Sequence, residues 1–119
     1  GVTGVQTCAL PIYVGLKGSG TINASDTMSS HVGWAEITAY SNATRPAFTA
    51  AAASAGSTSN TASPAVFNIN GTATVAGCFI TTNNTVGGTT GILFSAADFA
   101  VARNVLSGDT LTVTYTISC

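Results

Sequence analysis

The clearest pattern lies at the C-terminal end. Leu111, Val113, Tyr115, Ile117 and Cys119 alternate with Thr110, Thr112, Thr114, Thr116 and Ser118. Strict period two with β-branched polar partners predicts a single half-buried strand with one wet face. Ser107-Gly108-Asp109 reads as the turn that precedes it.

Val66-Phe67-Asn68-Ile69 followed by Asn70-Gly71 has the look of a two-residue hairpin. That register would set Ile69 opposite Thr72 and Phe67 opposite Thr74, mixing apolar and polar positions on one face. Burial decides register, because a one-residue slip turns every side chain over. The pattern therefore predicts a longer loop, Asn70 to Thr72, or a crossing between sheets. Thr72 to Thr82 is then a long strand buried on both sides, with Ala73, Val75 and Phe79 on one face and Ala76, Cys78 and Ile80 on the other.

Asn83 to Gly91 is a Gly- and Asn-rich loop. Ile92-Leu93-Phe94 predicts a short buried strand, and Phe99 to Leu106 another. Tyr13 to Lys17 and Trp34 to Thr38 read as strands, with a helical turn through Met28 to His31 capped by Ser25 or Asp26 between them. Ala47 to Ala55 has helical propensity. Thr49, Ser54 and Gly56 interrupt it, Pro46 precedes it and it has no charged face, so it is read as extended or irregular. Short strands, turn signals and no long helical period predict an all-β fold, an antiparallel β-sandwich of jelly-roll or immunoglobulin-like type. Its expected core is Trp34, Ile37, Phe67, Ile69, Val75, Phe79, Leu93, Phe94, Leu111, Val113, Tyr115 and Ile117.

Composition narrows the function classes. The 119 residues suit one domain. Lys17, Arg45, Arg103, Asp26, Asp98, Asp109 and Glu36 are its only charged residues, 6% of a chain that is 45% hydrophobic. An ordinary globular domain carries roughly 25%. That much apolar content closes the usual route to disorder. No apolar run approaches the ~20 residues of a membrane helix. With a net charge of −1 there is no basic patch for nucleic acid. Polarity falls instead to 20 Thr, 12 Ser and 8 Asn.

The first twelve residues stand apart. Val2 to Ile12 read VTGVQTCALPI, which resembles the translation of a common short-read sequencing adapter over eleven consecutive residues. Residues 1–12 are accordingly read as a non-native segment and 13–119 as the domain, with one or two N-terminal strands expected to be missing; a local strand over Val5 to Leu10 is the alternative. If such a strand is lost, its neighbour becomes an open edge, and the chain is expected to associate more than a full-length homologue. Setting Cys8 aside leaves Cys78 and Cys119, read as two unpaired thiols, with a disulfide between them as the alternative in an oxidising compartment.

Candidate chemistry is thin. Asp26, His31 and Glu36 with Ser29 and Ser30 permit a Ser-His-Asp set on one short segment, but no glycine-rich elbow presents the serine. A turn-capping Asp26 and a partly buried His31 is the preferred reading. Asp26, His31, Glu36, Asp98 and Asp109 have no metal-binding spacing. Gly18-Ser19-Gly20 and Val86-Gly87-Gly88 lack the strand-to-helix setting of a phosphate cradle and are read as turns. Sequons at Asn23, Asn42, Asn70 and Asn83 exceed only modestly the about two that composition supplies. No catalytic, cofactor-binding or metal-binding residue is assigned.

The stretches YVGLKGSG, DTMSSHVGWAEITAYS, RPAF, NGTATVAGCFIT, NNTVGGTTGILFSAADF and VLSGDTLTVTYTIS occur in that order from Tyr13 onward. Together they resemble a family of small proteins encoded among the virion structural genes of tailed bacteriophages. The resemblance implies no active-site residues. It implies a head- or tail-associated virion subunit, assembled in the host cytoplasm, that packs against other virion subunits or against itself through β edges. The alternative is a secreted or surface-displayed module, a pilin-like adhesin or a carbohydrate-binding domain.

Overall fold

Period-two segments of β-branched and aromatic residues become strands throughout. The computed structural model describes residues 12–48, 57–60 and 64–118, and among these there is no helix. The strands are β1 (Tyr13–Lys17), β2 (Glu36–Ile37), β3 (Ser57–Ser59), β4 (Ala65–Asn68), β5 (Ala73–Thr81), β6 (Leu93–Val105), β7 (Thr110–Val113) and β8 (Thr116–Ser118). All pairings are antiparallel: a four-stranded sheet in the order β2-β1-β5-β6, and the pairs β3-β8 and β4-β7. The all-β expectation holds.

The middle strands of the four-stranded sheet, β1 and β5, are largely buried on both sides. Val14 and Leu16 of β1, with Val75, Cys78 and Ile80 of β5, pack against Phe67 of β4, Val113 of β7, Tyr40, Phe48 and Ile69 to form the main core. Phe79 points to the opposite face, where it meets Met28 and Trp34 in a second, smaller cluster. Phe48 extends the structure by donating from its amide to Ile12 O at 2.9 Å, while Val14 N donates to Pro46 O at 2.8 Å. The segments around Ala35 and Ala47 thereby share one edge of β1.

Tyr13 to Lys17 is a strand as expected, and Asn70-Gly71 is a crossing between sheets, since β4 pairs with β7 and β5 with β1 and β6. The strand expected over Thr72 to Thr82 is β5, one residue shorter at each end. Val75, expected on the same face as Phe79, packs instead with Cys78 and Ile80. The change of face falls at a register shift between Val75 and Gly77: Val75 pairs with Arg103 and Gly77 with Asp98, and Phe99 to Ala102 bulge out of the ladder.

Several expectations are corrected. The strands Ile92-Leu93-Phe94 and Phe99 to Leu106 are one bulged strand, β6. Phe94 is not core: it lies at a second register shift, where Ile80 pairs with Ser95 and Thr81 with Leu93, and it is 49% exposed. Ile92 is exposed as well. The strand expected at Trp34 to Thr38 contracts to β2. No helical turn forms through Met28 to His31; Thr27 and Ser30 exchange backbone hydrogen bonds at 2.9 and 3.2 Å in a tight turn instead. Of Ala47 to Ala55, Ala47 and Phe48 run alongside β1, and the rest lies outside the described residues, as do residues 1–11.

The C-terminal alternation is real but divided. Thr110, Thr112 and Thr114 are exposed while Val113 is buried. The strand breaks at Thr114-Tyr115, where β7 leaves β4 and β8 turns to β3. Asn60 makes the break possible. Its Oδ1 accepts from Tyr115 N at 2.8 Å and its Nδ2 donates to Val113 O at 3.1 Å, so a buried carboxamide stands in for a strand. Asn60→Leu is expected to orphan two backbone groups and cost about 3 kcal/mol. Urea denaturation monitored by circular dichroism would measure it, with Asn60→Gln as the size-matched comparison.

Candidate functional site

The second face of the four-stranded sheet gathers most of the chain's reactive groups. Strand register sets Glu36 of β2 opposite Lys17 of β1, Lys17 opposite Gly77 of β5, and Gly77 opposite Asp98 of β6. Lacking a side chain, Gly77 leaves the path between Lys17 and Asp98 open. The fully buried Lys17 Nζ donates to Asp98 Oδ1 at 2.6 Å, to Gly18 O at 3.0 Å and to Gly20 O at 3.2 Å. All three ammonium donors are thus met. The adjoining row runs Gly15, Phe79, Ala96, and the Phe79 ring lies directly over Gly15.

Arg45 closes the other end. Its Nε and Nη2 donate to the two oxygens of Glu36 at 2.9 and 2.6 Å, and Nη1 and Nη2 donate to Asn83 O at 2.7 Å and Gly88 O at 3.0 Å. The guanidinium is fully buried and Glu36 is nearly so. Its carbon sits 5.2 Å from the Phe79 ring centroid, and Lys17 Nζ lies 5.9 Å from that of Trp34. Two buried cations therefore flank the Phe79–Trp34 pair (centroids 5.4 Å apart). The arrangement pins the loop through Asn83 and Gly88, and the loop after β1, onto the sheet.

Asp26, His31 and Trp34 form a third group. His31 stacks on Trp34 with centroids 4.0 Å apart, and its Nδ1 lies 2.9 Å from Trp34 O. Asp26 Oδ2 accepts from Asn23 N at 2.9 Å and from Trp34 Nε1 at 3.0 Å. The bond from the Asn23 amide, helped by Trp34 and by the nearby His31, holds the Asp26 carboxyl below the usual aspartate range. Asp26 caps its turn, as the sequence suggests. It reaches Trp34 rather than His31, and Ser29 Oγ contacts Thr27 Oγ1 at 3.4 Å, so the structure does not assemble the paper set of Ser29, Ser30, His31 and Asp26. Among the described residues, no three His, Cys, Asp or Glu side chains gather as metal ligands. Asp109 is a turn residue whose carboxylate accepts from Leu106 N.

Sequence reasoning missed the two internal ion pairs. The available signal was Lys17 ending an apolar pentapeptide, and a chain with so few cations placing one there. Gly20 and Gly87 bear out the turn reading of their segments, with φ of 141° and 76°.

On the main-core side, Cys78 is a buried free thiol whose pKa burial pushes up to about 12. Cys119 lies outside the described residues. Burial raises Tyr115 too, partly offset by its 2.6 Å bond with Ser95 Oγ. It raises Tyr40 further still, and Tyr40 Oη is buried with no hydrogen bond in the protein. Each group is neutral in the fold and more acidic when unfolded. Their stabilisation is therefore complete below about pH 9 and is lost as pH climbs through the folded values. Melting temperature is expected to fall between pH 9 and pH 12, with Cys78→Ala flattening part of the decline. Tyr40→Phe removes the unpartnered hydroxyl and is expected to leave thermal stability unchanged or raise it by up to about 1 kcal/mol.

Open grooves run where β6 passes β7 and the Thr114-Tyr115 bend. One, of about 340 Å³, is lined by Phe99, Val101 and Arg103 on one side and Leu111 to Thr114 on the other. The next, of about 330 Å³, has Cys78 with Ser95 to Phe99 facing Thr114 and Tyr115. The fold defines an all-β protein with antiparallel sheets. No protein family, curated protein or solved structure matches the chain.

Proposed function

We propose that the chain is a β-sandwich, jelly-roll or immunoglobulin-like in type, and a structural subunit of a tailed-bacteriophage virion. It is head- or tail-associated, assembles in the host cytoplasm and acts by packing against neighbours. One observation carries this reading: two of the three basic side chains are spent internally. Lys17 and Arg45 are fully buried against Asp98 and Glu36, which leaves Arg103 as the one exposed basic side chain. A protein that stays apart from its neighbours generally keeps charge outside. This one presents Thr, Ser and Asn, which suit close hydrogen-bonded contact, and, among the described residues, a strand edge of β6 with no partner beside an open groove. The same neutrality argues against nucleic acid as a partner, and no helix among the described residues is long and apolar enough to cross a membrane.

Mass spectrometry of purified particles from a phage carrying the gene tests the reading. The chain is expected at a fixed ratio to the major head or tail protein. Its absence from particles while present in the lysate would overturn the proposal. A Cys78–Cys119 disulfide in the native protein would do the same, favouring a secreted module.

A further inference from the structure

We propose that Asn70 is a self-modification site: its side chain closes onto the main-chain nitrogen of Gly71, releases ammonia, and opens with water to aspartate or isoaspartate. The inference is independent of the assembly reading above. It concerns the same Asn70-Gly71 pair that carries the chain from one sheet to the other.

Three conditions must meet in one place: a carboxamide free to turn, a following amide nitrogen free to attack, and little bulk beside that nitrogen. Asn70 is exposed, and its side chain makes no hydrogen bond to the described residues. Gly71 follows it in a bend, and the Gly71 N–H has no acceptor there either. Without a Cβ, Gly71 admits the backbone angles through which its nitrogen approaches Cγ of Asn70. The chain is anchored just before this point, where Ile69 N donates to Asp109 O at 2.9 Å and Asn70 N to Ala39 O at 3.0 Å. The reacting pair therefore sits at the first free peptide after a fixed one.

The other asparagines lack the combination. The side chains of Asn23, Asn42, Asn60, Asn83 and Asn104 are each held by hydrogen bonds. Those of Asn68 and Asn84 are free, but the amides that follow them are not. Ile69 N is spent on Asp109 O, and Thr85 N donates to Asn83 Oδ1 at 2.8 Å.

The chemistry consumes only water. Hydroxide takes the Gly71 amide proton, the nitrogen bonds to Cγ, and the Cγ–Nδ2 bond breaks. The departing nitrogen takes a proton from water and leaves as ammonia, which restores the hydroxide. Water then opens the five-membered imide at one of its two carbonyls. Breaking the bond to Cγ gives aspartate, whereas breaking the bond to the main-chain carbonyl carbon gives isoaspartate. Either product adds a carboxylate to a chain whose net charge is −1. Isoaspartate also lengthens the crossing between the sheets by one methylene.

The test holds the full chain at mildly alkaline pH and physiological temperature, then maps its peptides by mass spectrometry. Asn70 is expected to convert before any other asparagine, with isoaspartate among the products. Gly71→Ala is expected to slow the conversion about tenfold or more, because the added methyl crowds the attack. Beyond its chain neighbours the nearest atom to that methyl is Ala39 Cβ, at 3.6 Å, an ordinary contact. The melting temperature of Gly71→Ala is therefore expected to match the parent. Unfolding the parent in urea is expected to change the Asn70 rate by less than about tenfold, since the fold already leaves this site open. An unchanged Asn70, aspartate without isoaspartate, earlier conversion at another asparagine, or a much larger acceleration in urea would each overturn the proposal. So would a Gly71→Ala chain that converts as fast as the parent.

Discussion

Arg45→Ala is expected to be among the most damaging single changes, lowering stability by about 4 kcal/mol. The substitution strands the nearly buried carboxylate of Glu36 and removes the donors to Asn83 O and Gly88 O. An uncompensated buried charge costs far more than the pair contributes, because the pair had already offset the desolvation of both ions. That asymmetry supplies the check. Arg45→Met combined with Glu36→Leu removes both charges and is expected to recover at least half of the loss. Thermal denaturation of the single and double variants decides it. If the double variant is as unstable as Arg45→Ala, the pins on the loop through Asn83 and Gly88 matter more than the ion pair.

Gly77→Ala is expected to cost about 3 kcal/mol, the upper end for overpacking. A Cβ there would sit 2.1 Å from Ala97 O and 2.8 Å from Asp98 Cα, both backbone atoms with no rotamer to yield. β6 must move outward, and Asp98 moves with it away from Lys17. Hydrogen exchange is expected to show lost protection concentrated in β6, together with a lower denaturation midpoint. Gly15→Ala is the instructive contrast. The three atoms nearest its Cβ all belong to the Phe79 ring, so Phe79→Leu is expected to rescue it in part. No side-chain change should rescue Gly77→Ala.

These two positions mark how far the sequence could be read. Alternation of apolar and polar residues is a local signal, and it located β1, the wet threonines of β7 and the crossing after Ile69. It failed where distant residues intervene. The break at Thr114-Tyr115 is invisible from the alternating threonines because Asn60, far off in sequence, supplies the bonds that permit it. The fusion of two expected strands into β6 depends on a bulge, which inserts residues without altering composition. Val75 changes face at that same register shift. The charged face was missed for a related reason. Hydropathy sorts lysine and arginine to the surface, and only the register of β2, β1, β5 and β6 shows that Glu36, Lys17, Gly77 and Asp98 form one row.

The span of that row has a consequence for synthesis. Lys17 is held by Asp98, 81 residues further along, and β1 has no pairing partner in the four-stranded sheet more extensive than β5. As the chain leaves the ribosome at roughly 5–20 residues per second, the first strand waits on the order of ten seconds for its carboxylate. Until then an apolar strand ending in an unneutralised ammonium has nowhere dry to settle, so its charge keeps the nascent segment in water. The ion pair that locks the finished sheet thus also acts as a timer, delaying burial of β1 until the strands that must cover it have been made.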